Sequence, residues 1–298
     1  MGHYSIRDLE HLTGIKAHTI RIWEKRYGIV KPCRTNTNIR TYSDQDLRRL
    51  LNISILNHHG IKISHLANLS DLEIQEKVMF VSQDPTDSKT QIESLLMAMI
   101  NLDEPKFHEI LNKVIMVSGF EEAFTSIVMK TLDRVGMLWL TGTINPAQEH
   151  FISNLVRQKL VASIEALNPA KHKDRKRFML FLPEGELHEL SLLFSAYLIK
   201  KRGHDVLYFG QFTPLNSVVE AEQIWPTDVL VISLVTSMTG LDLDSFASQV
   251  ATAFPDKTIL FTGQQSLDLP DKKYANIRSF RDVRKFIHFL DDLIQQNV

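Results

Sequence analysis

Cysteine is nearly absent: the 298 residues contain one, Cys33. That excludes a disulfide framework and a zinc site built from cysteine thiolates, and it suits a reducing compartment. No apolar run approaches the roughly 18 residues of a membrane span. Residues 1–20 are polar and charged, without the apolar core of a secretory leader. Met1-Gly2 opens like a myristoylation signal, yet position 6 is Ile rather than Ser or Thr. Net charge is also lacking, at −1, so the whole chain has no general attraction to polyanions. Tandem repeats and low-complexity tracts are missing too. The expectation is a soluble, cytoplasmic protein with no membrane partner.

What is present is enough apolar material for packed cores, 44% of residues, and a length that points to two or three domains. The chain changes character twice. Residues 4–62 are basic and rich in short helical signals, within a first domain expected over 1–75. The polar segment SQDPTDSKT (82–90) reads as a linker, and helical periodicity then runs through 88–167, with breaks near 103–105, 118–120 and 141–146. Four helices in that arrangement predict a bundle. After a basic linker at 168–177 the pattern becomes strand and helix in alternation across 176–298. FMLFL (178–182), DVLYFG (205–210), DVLVISLV (228–235) and KTILFTG (257–263) read as strands. ELSLLFSAYLIKK, a helix N-capped by Thr213 with Pro214 at its first position, and LDLDSFASQVATAF read as helices. The predicted fold is multidomain α and α/β: an N-terminal winged helix-turn-helix, a four-helix bundle, and a C-terminal Rossmann-like doubly wound parallel sheet. In open parallel sheets, ligands bind at the carboxyl ends of the strands.

At the N-terminus, YSIRDLEHLTGIKAHTIRIWEKRYG carries a capping-box pattern at Ser5 and Asp8, a break at Thr13-Gly14 and a second helix from about Ala17. Residues 20–49 hold eight Arg or Lys against three acids, the footprint of phosphate contacts. The stretch from Tyr4 to about Ala67, RIWEKRYG (21–28) above all, resembles the DNA-binding domain of the MerR family of transcription regulators. The resemblance implies that the helix holding Lys16–Lys25 enters the major groove of promoter DNA. Lys16, His18, Thr19 and Arg21 would then face bases or nearby phosphates. Arg34, Arg40 and Tyr42 would be contacts of the wing, RTNTNIRTY. Trp23 and Tyr27 read as core or core edge.

In GMLWLTGTINPAQEHFISNL, Trp139 precedes Glu149-His150 by nine intervening residues. Asn145, Pro146 and Gln148 suit the start of a helix, which places the acid and the imidazole in a first turn. On chemistry alone these are a core Trp and a capping acid. The spacing, however, resembles the bundle cap of CarH-type and LitR-type cobalamin-dependent photoreceptors. The resemblance implies that Trp139 packs where the adenosyl group of adenosylcobalamin sits, that Glu149 and His150 border it, and that His150 ligates cobalt after photolysis.

PEGELHELS (183–191) places His188 where the first strand of the sheet meets its helix. Read alone, His188 is a solvated loop histidine. The same photoreceptor family carries here an acid, any residue, His, two residues and Gly. Glu186 and His188 match, and Ser191 stands in place of the glycine. By resemblance His188 is the lower axial ligand to cobalt and Glu186 orients it. Ser233 and Thr236 match a Ser/Thr pair after the third strand. Gly263-Gln264 matches only the first residue of a Gly-Gly pair, so Ser191 and Gln264 both narrow the space for the nucleotide tail. The resemblance implies a homo-oligomeric repressor, dimer or tetramer, whose DNA binding answers to adenosylcobalamin and light, and no enzyme. Two alternatives stay open: a cobalamin-independent regulator of the same family, and a cobalamin-carrying methyltransferase module.

Overall fold

The computed structural model describes residues 4–34, 38–81, 87–140, 144–170, 174–235, 242–263, 265 and 274–295. The chain divides into two compact units, Met1–Leu155 and Val156–Val298.

In the first unit, α1 (Ile6–Thr13) and α2 (Ala17–Tyr27) have chemically specified ends. Ser5 and Asp8 form the capping box, each side chain accepting the other's backbone N–H. Gly14, at φ +68°, ends α1 in a left-handed conformation that a Cβ would resist. A short antiparallel pair follows, β1 (Cys33–Arg34) with β2 (Arg40–Thr41). Helix α3 (Asp44–His58) starts with a second capping box, Ser43 and Asp46. Leu47, Leu50, Leu51, Ile53, Ile55 and Leu56 of α3 are fully buried. These positions ring most of the helix, so α3 is an interior helix; each such side chain contributes roughly 2 kcal/mol of transfer free energy. Helices α4 (Ile63–Leu66) and α5 (Asp71–Val81) complete this part.

Helices α6 (Ser88–Asn101), α7 (Glu104–Ser118), α8 (Phe120–Ala123), α9 (Met129–Leu140) and α10 (Pro146–Glu165) follow. Asp103 caps α7 by accepting from the Lys106 N–H, with Pro105 in the first turn where its missing donor costs nothing. Between α8 and α9 lies a π-helical segment, Phe124–Val128, so 120–140 is one continuous rod with a single inserted irregularity. The breaks between the four rods fall where proline, glycine and capping residues predicted them. The boundary between the two units lies within α10.

The second unit holds β3 (Arg177–Phe181), α11 (Leu190–Lys201), β4 (Asp205–Gly210), α12 (Leu215–Ile224), β5 (Val229–Ser233), α13 (Leu243–Ala253), β6 (Thr258–Thr262), β7 (Ile277–Phe280) and α14 (Val283–Gln295). All strand pairs are parallel, in the order β4-β3-β5-β6-β7. Every residue of β5 is buried, as the central strand of a sheet covered on both faces requires. Val218 of α12 and Phe246, Ala247 and Val250 of α13 pack on Met179, Phe181, Leu230, Ile232, Ile259 and Phe261. On the other face α11 is tied to α14 by Arg202 and Asp291 at 2.6 Å. Strand order reverses direction between β3 and β5, which opens a crevice at their carboxyl ends. Two details differ from the sequence reading. Pro214, with ψ 138°, caps α12 from outside the helix, so Thr213 lies one residue too early to be the cap. β7 and α14 add a strand and a helix beyond the last ones anticipated.

Candidate functional site

On α2, His18, Arg21, Ile22, Lys25 and Arg26 are exposed. Their spacing of three and four puts His18, Arg21, Ile22 and Lys25 on one face. Trp23, at 9% exposure, is turned into the core, and Tyr27 is half-buried beneath the Arg26 guanidinium at 5.3 Å. Lys16 precedes α2, exposed, 3.2 Å from Glu10 Oε1, and Thr19 is half-buried. Ile22 was not anticipated. An apolar side chain 53% exposed amid basic neighbours is the signal helical spacing offered.

Arg34 is exposed and donates to Asn38 Oδ1 at 2.6 Å. Arg40 is half-buried, its Nε 3.1 Å from Glu24 Oε1, and the other Glu24 oxygen accepts from the Tyr42 hydroxyl at 3.2 Å. Glu24 therefore fastens β2 to α2. Tyr42 requires a correction. It is 1% exposed, pairs its backbone with Tyr4, and is a core residue rather than a surface contact of the wing. Burial, then the Glu24 carboxylate, push its phenol up to about 12.

Trp139, 47% exposed, is the penultimate residue of α9. Glu149 and His150 occupy the first turn of α10, with His150 exposed. Glu149 Oε2 lies 2.6 Å from His150 Nδ1, and Glu149 Oε1 accepts from Ser153 Oγ at 2.6 Å. The Trp and the Glu-His pair thus flank one inter-helix connection.

In the second unit, residues 182–189 leave the carboxyl end of β3. Glu186 is fully buried and bridges the crevice. Its Oε1 accepts the His188 backbone N–H at 2.9 Å and lies 2.7 Å from His188 Nδ1, while Oε2 accepts the Val235 N–H at 2.9 Å, just beyond β5. A carboxylate against Nδ1 holds that nitrogen protonated and leaves the basic lone pair on Nε2. The His188 side chain is 57% exposed, so this imidazole stands at the crevice mouth. Ser191 and Ser233 meet at 2.6 Å between hydroxyl oxygens. Gly263 has φ +90°, and a Cβ there would lie 2.3 Å from the Leu234 carbonyl oxygen. Only glycine fits, so the chain after β6 lies flush against the chain after β5. Thr236 and Gln264 lie outside the described residues. Glu189 is a neighbour that sequence reasoning missed: it accepts from Arg157 and, at 3.2 Å, from the Tyr208 hydroxyl, bracing the loop that carries His188.

These features match known proteins in the same order along the chain. Residues 4–72 match the MerR HTH family regulatory protein. Residues 91–162 match the B12 binding domain. The HTH-type transcriptional repressor CarH of Myxococcus xanthus is 31% identical, over 85% of this chain and 85% of its own length. The chain belongs to the CarH family of MerR-type transcriptional repressors. A second family member, the transcriptional repressor CarA of Myxococcus xanthus, is 27% identical over 77% of this chain and 76% of its own. The monomethylamine corrinoid protein of Methanosarcina barkeri shares the fold, with a TM-score of 0.53 at 14% identity over 67% of this chain and 96% of that one. As a CarH-family member the chain is a transcription regulator with a B12-binding domain, not an enzyme. Among the described residues no helix is long and apolar enough to cross a membrane.

The residues at the crevice suit a cobalt corrinoid. Imidazole is a borderline donor matched to such a metal. A buried carboxylate orients it as outer partners orient metal-bound histidines. The Gly263 contact keeps side chains out of the adjoining strand ends.

Proposed function

We propose that this repressor binds promoter DNA as a homo-oligomer, dimer or tetramer, under the control of adenosylcobalamin and light. The observation that carries the reading is the Glu186–His188 pair at the switch point of the sheet. When bound, adenosylcobalamin supplies a cobalt–carbon bond that light breaks. Glu186 keeps the His188 Nδ1 proton in place, so His188 would hold the cobalt through Nε2. Trp139 offers an exposed indole face for a nucleoside, the use to which a large amphipathic ring is suited. Glu149 holds His150 Nδ1, so His150 would offer Nε2 to the metal. Ser191 and Ser233 keep their hydroxyls on each other, so the Ser191 side chain is drawn toward β5. On α2, Arg21 and Lys25 supply charge toward phosphates, and His18 and Ile22 supply contacts to base edges.

For light to release DNA, the cofactor's dark form must favour one assembly state by its differential affinity. Gel filtration with absorbance detection tests this on protein mixed with adenosylcobalamin in the dark, before and after green light. The expected result is a co-eluting corrin spectrum in a large species that becomes smaller on illumination. No co-eluting spectrum defeats the cofactor reading, and a bound corrin with no change in size defeats the light reading.

A further inference from the structure

The end of α1, immediately before the turn into α2, is held by helices of the bundle. Arg134 of α9 donates through Nη1 to the Leu12 carbonyl at 3.2 Å. Ser54 of α3 sets its Oγ 2.9 Å from the Thr13 carbonyl oxygen and 3.0 Å from Glu93 Oε1 of α6. Leu12, Thr13, Ser54 and Glu93 are all buried. The last carbonyls of a helix have no partner within it and ordinarily go to a cap or to water. Here two of them go to side chains brought by other helices. Leu12 and Thr13 are the last residues of α1, and only Gly14, Ile15 and Lys16 separate them from α2.

We propose that Arg134 and the Glu93–Ser54 pair are positioning residues through which the bundle sets the turn between α1 and α2, and so the presentation of the DNA-reading face. This rests on the reading that α2 meets DNA and that the bundle covers the cofactor. Trp139 lies five residues beyond Arg134 on the same uninterrupted helix, about 7.5 Å along its axis and about 140° around it. One end of a stiff rod carries the exposed indole, and an earlier turn holds the Leu12 carbonyl. A hydrogen bond of 3.2 Å is already at the long end of its range, so a shift of a few tenths of an ångström at α9 releases it. The Glu93 contact makes the seam resist parting. Among the described residues Glu93 Oε2 has no hydrogen-bond partner, so loss of Ser54 strands the whole buried carboxyl.

Hydrogen exchange on the full chain tests the proposal, comparing wild type with Arg134→Met and Arg134→Lys. In Arg134→Met the amides of Gly14 to Ala17 should exchange about tenfold faster, the loss expected for one charged hydrogen bond, and Arg134→Lys should recover most of the protection. In the dark, adenosylcobalamin should change exchange at this turn in wild type but not in Arg134→Met, while both proteins develop the same bound-corrin absorbance. Equal turn exchange in wild type and Arg134→Met overturns the proposal, as does a wild-type-like response in the variant. If wild type takes up no corrin, the cofactor reading fails, and the comparison without cofactor decides the positioning role alone. Should Arg134→Met unfold the unit, Ser54→Ala, which removes one hydroxyl, carries the same comparison.

Discussion

Replacing Glu93 by Gln should stabilise the first unit above neutral pH and do almost nothing below pH 5 or so. Glu93 is completely buried. Desolvation pushes its carboxyl from the ordinary 4.5 up to about 7, against the opposing influence of Lys89, the Ser54 hydrogen bond and Arg134. Asp87, which lies 3.5 Å from His58 and 3.2 Å from His59 at the end of α3, adds to the rise. The geometry agrees. The Ser54 hydroxyl has one proton and two oxygen neighbours, and the Thr13 carbonyl can only accept, so a protonated Glu93 donating to Ser54 satisfies all three atoms. A carboxyl whose folded value is raised binds its proton more tightly in the native state, so stability falls as pH climbs from 4.5 to about 7 and is flat above. Across that interval the loss is about 3 kcal/mol, at about 1.4 kcal/mol per pH unit. Glutamine is the neutral isostere and removes the term. Urea unfolding followed by the fluorescence of Trp23 and Trp139, at several pH values, measures it. The quantity to read is the difference between wild type and Glu93→Gln at each pH. That difference should open from near zero to about 3 kcal/mol as pH rises. Parallel pH profiles for the two proteins would refute the assignment.

Four other expectations follow from geometry already described. His188→Ala should weaken corrin uptake about tenfold or more and alter the bound spectrum, and an unchanged titration returns His188 to a plain loop residue. Gly263→Ala forces a Cβ into the Leu234 carbonyl at φ +90°. It should cost at least about 2 kcal/mol, read as a lowered urea midpoint for the second unit. Arg40→Ala should weaken duplex binding and lower the salt slope by about one; an unchanged slope assigns Arg40 to Glu24 alone. Ile22→Ala should reduce discrimination between operator variants by about 1 kcal/mol while leaving the salt slope intact, as for an apolar base contact.

Local chemistry was legible in the sequence. The capping box at Ser5, glycine at position 14, and Asp103 followed by Pro105 mark helix ends through bonds within a few residues, and the helices end there. The alternation of apolar strands and helices carried the parallel sheet as far as β6. β7 (IRSF) is short and half exposed, so its apolar signal is weak, and its place in the sheet comes from pairing with β6. Glu186 and His188 were named from the family resemblance, and their contact, two positions apart, is a local relation. The 49-residue reach of Glu186 to the Val235 amide was not legible. Tyr42 shows the opposite failure: the family resemblance implied a wing contact, while backbone pairing with Tyr4 and burial decide otherwise. Glu93 reads in sequence as one acid on an amphipathic helix. Only the packing of α3 against α6, 39 residues apart at Ser54, makes it interior.

The π-helical segment Phe124–Val128 sets the rotational phase of everything after it in the rod that carries Trp139. One residue corresponds to about 100° of helix rotation. Winding the same residues as uniform α-helix would turn the indole and Arg134 together by about that angle, whereas deleting one residue there would leave both nearly where they are. The insertion therefore acts as a phase adjuster. It lets the sequence before it keep its own buried stripe while Arg134, after it, faces the α1 terminus, an orientation that no composition or periodicity count across the segment would report.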